Sequence, residues 1–185
     1  MKLRSTLATA VLLAVSAAAA TSWAISAKED SSAPPPDSVK EARARSLLLY
    51  ETLRGSLAIM HRDFFDEEAA GAIPSASMED VFHELGATHD VRVKWLVVNT
   101  DMVNVDHEPE DEFERQAAKA LARGADHYQK VEPASENGGN SRFRFVGSIT
   151  LRSQCLKCHV KRRTSNEDRV AGLAISMPIG NSHQD

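Results

Sequence analysis

Apolar positions along the chain change period several times, and each change marks an element. Leu49, Leu53, Leu57 and Met60, with Leu48, Tyr50 and Phe64 beside them, recur at helical spacing. That stripe predicts a long helix, capped by Asp37 or Ser38 and running to about residue 70. Ile73-Pro74 breaks it. Ser77-Met78-Glu79-Asp80 is a capping-box pattern and predicts a shorter second helix to about residue 85, ended by Gly86. Over 91–98 the period becomes two: Val91, Val93, Trp95 and Val97 alternate with Arg92 and Lys94, predicting a strand with one dry face. An acidic loop leads to a third helix over 109–128, with Phe113, Ala117 and Leu121 on one stripe. Asn137-Gly138-Gly139-Asn140 is a turn. Residues 142–151 alternate again, Phe143 and Phe145 against Arg142 and Arg144, as a second strand, and 170–179 reads as a third. This order predicts a mixed α/β (α+β) domain of about 140 residues rather than a helical bundle.

The first residues follow another logic. Lys2 and Arg4 precede an apolar run over 7–20, and Ser22-Trp23-Ala24 places small residues where a signal peptidase reads. The run is shorter than the roughly 20 apolar residues that span a bilayer. Residues 1–24 are therefore expected to be a signal peptide, with the mature chain periplasmic or otherwise extracytoplasmic and no stable membrane span left after cleavage. Residues 25–38, with Lys28-Glu29-Asp30 and Pro34-Pro35-Pro36, read as a flexible linker. The domain is expected over 39–180 and a polar tail over 181–185.

Charge and cysteine count narrow the function classes. The 185 residues carry a net charge of -4, and removing 1–24 takes away two positive charges and no negative ones, giving -6. A pI near 6.0 removes the electrostatic case for nucleic-acid binding. Two cysteines make neither a disulfide-dense scaffold nor a pair of zinc knuckles.

Both cysteines fall in Cys155-Leu156-Lys157-Cys158-His159. Two thiols three positions apart can each add to a vinyl group of one porphyrin, and the histidine that follows then supplies an axial nitrogen. A redox dithiol would need more fold after the motif, a tight disulfide would stabilise little, and zinc would need further ligands. Together with export, the run points to one covalently attached haem c, held by Cys155 and Cys158 with His159 as proximal iron ligand.

Phe113-Glu114-Arg115-Gln116-Ala117, Arg142-Phe143-Arg144-Phe145, the Cys155–His159 run and Ala171-Gly172-Leu173-Ala174-Ile175-Ser176-Met177-Pro178 together resemble a known family. It is the haem-c-binding, PAS-like sensor domain of bacterial extracytoplasmic proteins, long catalogued as a domain of unknown function. The resemblance implies a PAS-like antiparallel sheet with a long N-terminal helix and further helices flanking it on one side. The covalent haem would lie near the C-terminus. It also implies a distal group on the first helix. Some relatives use a cysteine there, but both cysteines are already assigned.

His61 is one candidate for that position, four residues after Leu57; Met60 and an open site are the others. His83, His89, His107, His127, His183 and Met102 rank behind them. Trp95, Phe143, Phe145 and Leu156 could wall the haem or simply form a core. Asp101, Asp106, Glu108, Glu110, Asp111, Glu112 and Glu114 make an acidic run, whereas Arg152, Lys157, Lys161, Arg162 and Arg163 crowd the motif. Such runs are more often solvated faces than docking sites.

The expected function is that of a mono-haem c-type cytochrome in redox or diatomic-gas sensing or in electron transfer, a binding protein rather than an enzyme. Its partner would be a redox protein or a small gas ligand; oligomeric state is not legible. A helical-bundle cytochrome of the c-prime type and a haem peroxidase-like enzyme are the alternatives.

Overall fold

The computed structural model describes residues 32–64, 73–101, 104–134, 139–153, 155–156, 160 and 164–180. The expected signal peptide and polar tail lie outside these. Helix α1 spans Val39–Phe64. Ser38 Oγ accepts from the Glu41 amide (3.2 Å) while the Glu41 carboxylate accepts from the Asp37 amide (3.0 Å), two reciprocal caps that fix where the helix begins. The helix expected beyond Phe64 lies outside the described residues. Just ahead of α1, Pro36 O accepts from Gly180 N (2.9 Å) and Pro34 O from Arg45 (2.6 Å). These bonds hold the last part of the segment expected as a linker against the domain.

Helix α2 runs over Pro74–His89, longer at both ends than expected. Its start is set by Pro74 at the first turn, where the missing N–H costs nothing, so the capping-box pattern at Ser77 lies inside the helix. Gly86 does not stop it. Asp90 takes the left-handed conformation (φ 52°) that closes the last turn, its N–H bonded to Gly86 O.

Four strands follow: β1 (Arg92–Val97), β2 (His127–Glu132), β3 (Arg142–Leu151) and β4 (Arg169–Pro178). A short 3-10 turn, Val105–His107, and helix α3, Glu112–Ala122, stand between β1 and β2. The sheet order is β1-β4-β3-β2 with every pairing antiparallel. Strand β2 corrects the expectation of one helix over 109–128. Gly124, at φ +93°, ends α3, and the residues after Asp126 pair with β3, with His127 opposite Gly147.

The sheet is dry on both faces, which corrects the one-sided reading of β1 and of the flanking helices. Trp95, Phe143, Phe145, Leu173 and Ile175 pack under α1 and α2 with Tyr50, Leu53 and Phe82. Leu96, Val146 and Ala174 point the other way and pack under α3 with Phe113, Ala117 and Leu121. Each of the larger aliphatic and phenylalanine side chains among these contributes about 1.5–3 kcal/mol by leaving water.

Charge reinforces α3. Arg144 lies over the Phe113 ring, 4.2 Å from its centroid, and pairs with Asp111 (2.6 Å), Glu132 (3.0 Å) and the buried Glu114 (3.2 Å). Lys94 reaches Glu110 (2.8 Å) and Glu114 (3.2 Å). Part of the acidic run is thus built into the fold and is not simply solvated. The four-stranded sheet removes the helical-bundle alternative.

Candidate haem site

The connection from β3 to β4 carries the cysteine–histidine run. Past Leu151 the chain turns so that Arg152 O accepts from Cys155 N (2.8 Å) and Leu156 N (3.3 Å), and Leu156 O accepts from Val160 N (3.1 Å). The last is an i→i+4 bond, the spacing of one α-helical turn. Leu156 is fully buried and Cys155 half-buried. Cys158 and His159 lie outside the described residues.

Helix α1 travels in the same direction as β3. Near its start the Ser46 hydroxyl meets Met177 Sδ at 3.8 Å, and Met177 is the register partner of Phe143. One turn later Tyr50 Oη donates to Ser148 O (2.5 Å). From Tyr50 to His61 the helix rises about 16 Å, while β3 advances about 10 Å from Ser148 to Leu151. The last turns of α1 and the start of the β3–β4 connection therefore share one end of the sheet. Leu57, Met60 and Ile149 pack into the same core there.

Helical phase sets what α1 presents at that end. Tyr50, Leu57 and His61 stand at i, i+7 and i+11, within about 20° of one line along the helix, with Leu53 at i+3 about 60° to one side. His61 is half-buried and its Nδ1 lies 3.0 Å from Leu57 O. A carbonyl oxygen only accepts, so Nδ1 carries the proton and the lone pair of the neutral ring is on Nε2. That is the tautomer in which an imidazole ligates a metal through Nε2, with its other nitrogen tied to a carbonyl.

Two further observations test the fit of a haem here. Ser165 Oγ, in the same connection as Cys155, is buried and has no hydrogen-bond partner among the described residues, a polar atom that a haem carboxylate would satisfy. Phe64, at the end of α1, is 81% exposed and Ile73, just before α2, 54%. The residues present fit the group.

The remaining candidates stand elsewhere. Phe143 and Phe145 are buried core residues under α1, and Trp95 packs tilted against Phe82 (4.9 Å between centroids, planes at 59°) with its Nε1–H donated to Ser75 O. His127 lies on the exposed edge strand, stacked on Phe145 at 5.6 Å. His89 Nδ1 accepts from Ala33 N (3.1 Å), and His107 Nε2 lies 3.0 Å from Glu79. His83 is exposed on α2. His107 and His83 line a groove of about 590 Å³ with Phe82, Trp95 and Arg92. This groove follows the Arg92 half of β1 and includes neither Cys155 nor His61. His183 and Met102 lie outside the described residues. Among the described residues, no group of three or more His, Cys, Asp or Glu side chains could hold a metal ion, and no helix is long and apolar enough to cross a membrane.

Sequence reasoning missed Gly147 and Ser165. The first carried a signal: a lone glycine inside an alternating strand marks a close approach of another group. Ser165 carried none.

An antiparallel sheet flanked by helices, with the Cys155–His159 run in its last connection, makes this an α+β domain. The chain belongs to the Tll0287-like family, whose model matches residues 8–175. No curated protein and no solved structure matches it.

Proposed function

We propose that the protein is exported, cleaved after Ala24, and acts outside the cytoplasm as a mono-haem c-type cytochrome that senses redox state or a diatomic gas. One observation carries this reading: α1 delivers His61 to the end of the sheet where the Cys155–His159 run begins. Cys155 and Cys158 would hold the haem by adding each S–H across a vinyl C=C, forming one C–S and one C–H bond with no oxidant needed. His159 would be the proximal ligand and His61 the distal one. When bound, haem would supply a one-electron iron couple, and a gas would bind only where it displaces His61. The Leu57 carbonyl orients His61 by holding its Nδ1 proton. Leu156 excludes water behind the attachment residues, and Ser165 Oγ offers a hydrogen bond to a haem carboxylate.

The experiment is expression of the full chain where haem c is attached. Spectra are then recorded oxidised, reduced, and reduced under carbon monoxide. Covalent haem that survives denaturation, and is lost in Cys155→Ala/Cys158→Ala, supports the central claim; haem that washes out overturns it. His61→Ala should convert a six-coordinate low-spin spectrum to high-spin and speed carbon monoxide binding, and an unaltered spectrum rejects His61 as ligand. A wild-type protein that never binds carbon monoxide would favour electron transfer over gas sensing.

A further inference from the structure

We propose that Tyr50 and Gly147 form a lock that sets the rotation of α1, and thereby position His61 at the haem. The proposal rests on the reading of His61 as distal ligand and assigns the part of the fold that controls it.

The contact is unusually close. A Cβ built on Gly147 would lie 2.3, 2.5 and 2.6 Å from Tyr50 Cε2, Cδ2 and Cζ, whereas ordinary contact begins near 3.4 Å. The Tyr50 ring therefore occupies the space that any other residue on β3 would fill. Its hydroxyl reaches past this cradle to Ser148 O (2.5 Å) and its face tilts against Phe145, with centroids 5.7 Å apart. Arg54, itself paired with Glu51, lies over the ring 5.7 Å from its centroid. One side chain is thus fixed at its hydroxyl and on its faces. Burial is the main influence on the phenol and raises its pKa, so the hydroxyl stays a donor to Ser148 at neutral pH.

What the lock controls follows from helix geometry. Tyr50 and His61 are eleven residues apart, three turns of one rigid helix, so a rotation at Tyr50 reappears at His61. Beyond Tyr50, α1 holds the sheet through Leu53, Leu57 and Met60, apolar contacts that allow sliding. An axial ligand must be held to within about 0.5 Å and 10–20° of its productive geometry. Adding a methyl group at Gly147 would push the nearest ring atom back by about 1 Å to reach ordinary contact.

The test uses the haem-loaded full chain with three single variants, one double variant and a control. Gly147→Ala displaces the ring, Tyr50→Phe removes the hydroxyl bond without a clash, and Tyr50→Leu removes the ring atoms that the new methyl group meets. Gly147→Ala should raise the high-spin fraction of the oxidised spectrum and the carbon monoxide association rate, the latter about tenfold if the open fraction rises tenfold. Tyr50→Phe should move both in the same direction by less. Combining Tyr50→Leu with Gly147→Ala should add little to the effect of Tyr50→Leu alone.

A merely structural role predicts lowered melting temperature with ligation unchanged in the folded fraction, and that outcome overturns the proposal. His61→Ala is the control. If it leaves the spectrum unaltered, the distal reading itself fails. If it alters the spectrum while neither Gly147→Ala nor Tyr50→Phe does, only the lock fails.

Discussion

Two glycines show how differently single residues constrain this fold. Gly124 stands at φ +93° with nothing within 4 Å of a built Cβ, so its role is conformational: it lets α3 end and β2 begin. Gly147 has no such backbone demand and is required by the Tyr50 ring. Gly124→Ala should therefore destabilise by about 1–2 kcal/mol, the cost of a left-handed alanine, and leave haem ligation as it was. Gly147→Ala should destabilise by about 1–3 kcal/mol through overpacking. Urea denaturation of both variants, beside their visible spectra, separates the two causes. Neither role was fully legible in sequence. A glycine after an apolar helix stripe is an ordinary stop signal, yet the helix expected over 109–128 runs through Gly124, and the structure ends it there. The Gly147 contact joins residues 97 positions apart in the sequence, a separation that local periodicity does not register.

At the scale of elements, α3 is held by ion pairs as much as by its apolar stripe. Burial by itself would raise the Asp111 carboxyl, but the Arg144 guanidinium and the Glu114 amide outweigh it and hold it below its ordinary value. A depressed carboxyl contributes stability above its unfolded-state value, near 4, and that contribution disappears as pH falls through the still lower folded value. The domain should therefore keep this part of its stability from neutrality down to about pH 4 and lose it below. Arg144→Gln leaves Glu114 buried with only Lys94 opposite, and should cost about 3 kcal/mol at pH 7. It should also flatten the acid limb of the stability curve, and urea midpoints from pH 7 to pH 3 would show both effects. An acid limb of unchanged steepness in the variant would mean other carboxylates dominate. The elements themselves were readable where period and burial agree. Strand β3 spans the same residues expected from its alternation, and Ser38 caps α1 as its side chain suggests. Helix α2 was shortened at both ends because a capping-box pattern and a glycine both fell inside it, and those local signals gave way to Pro74 and the left-handed Asp90.

At the scale of the whole molecule, the parallel course of α1 and β3 brings to one end of the sheet residues of the proposed site that lie far apart in sequence. Cys155 and His61 each belonged to a motif or stripe legible by itself. That both come to one end of the sheet depends on Tyr50, Ser46 and the β3–β4 register, a result of tertiary packing that spacing does not reveal. The two-faced burial of the sheet was equally hidden, because Leu96 and Ala174 sit within apolar runs that read as strands without saying which face meets a helix.

Strand order has a consequence for maturation. Strand β4 is central, seated between β1 and β3, yet it is the last of the four along the chain. Among the described residues, until it emerges β1 has no strand beside it and the only hydrogen-bonded strand pair is the β2–β3 hairpin. The cysteine–histidine run precedes β4, so under the proposed export its thiols would leave the membrane before the four-stranded sheet is complete. A chain stopped after residue 168 should accordingly accept haem from the attachment machinery as well as the intact chain does, yet stay protease-sensitive. In-gel haem staining beside limited proteolysis would read both. Haem attachment that required β4 would place cofactor loading after folding, and reverse the order in which this domain is built.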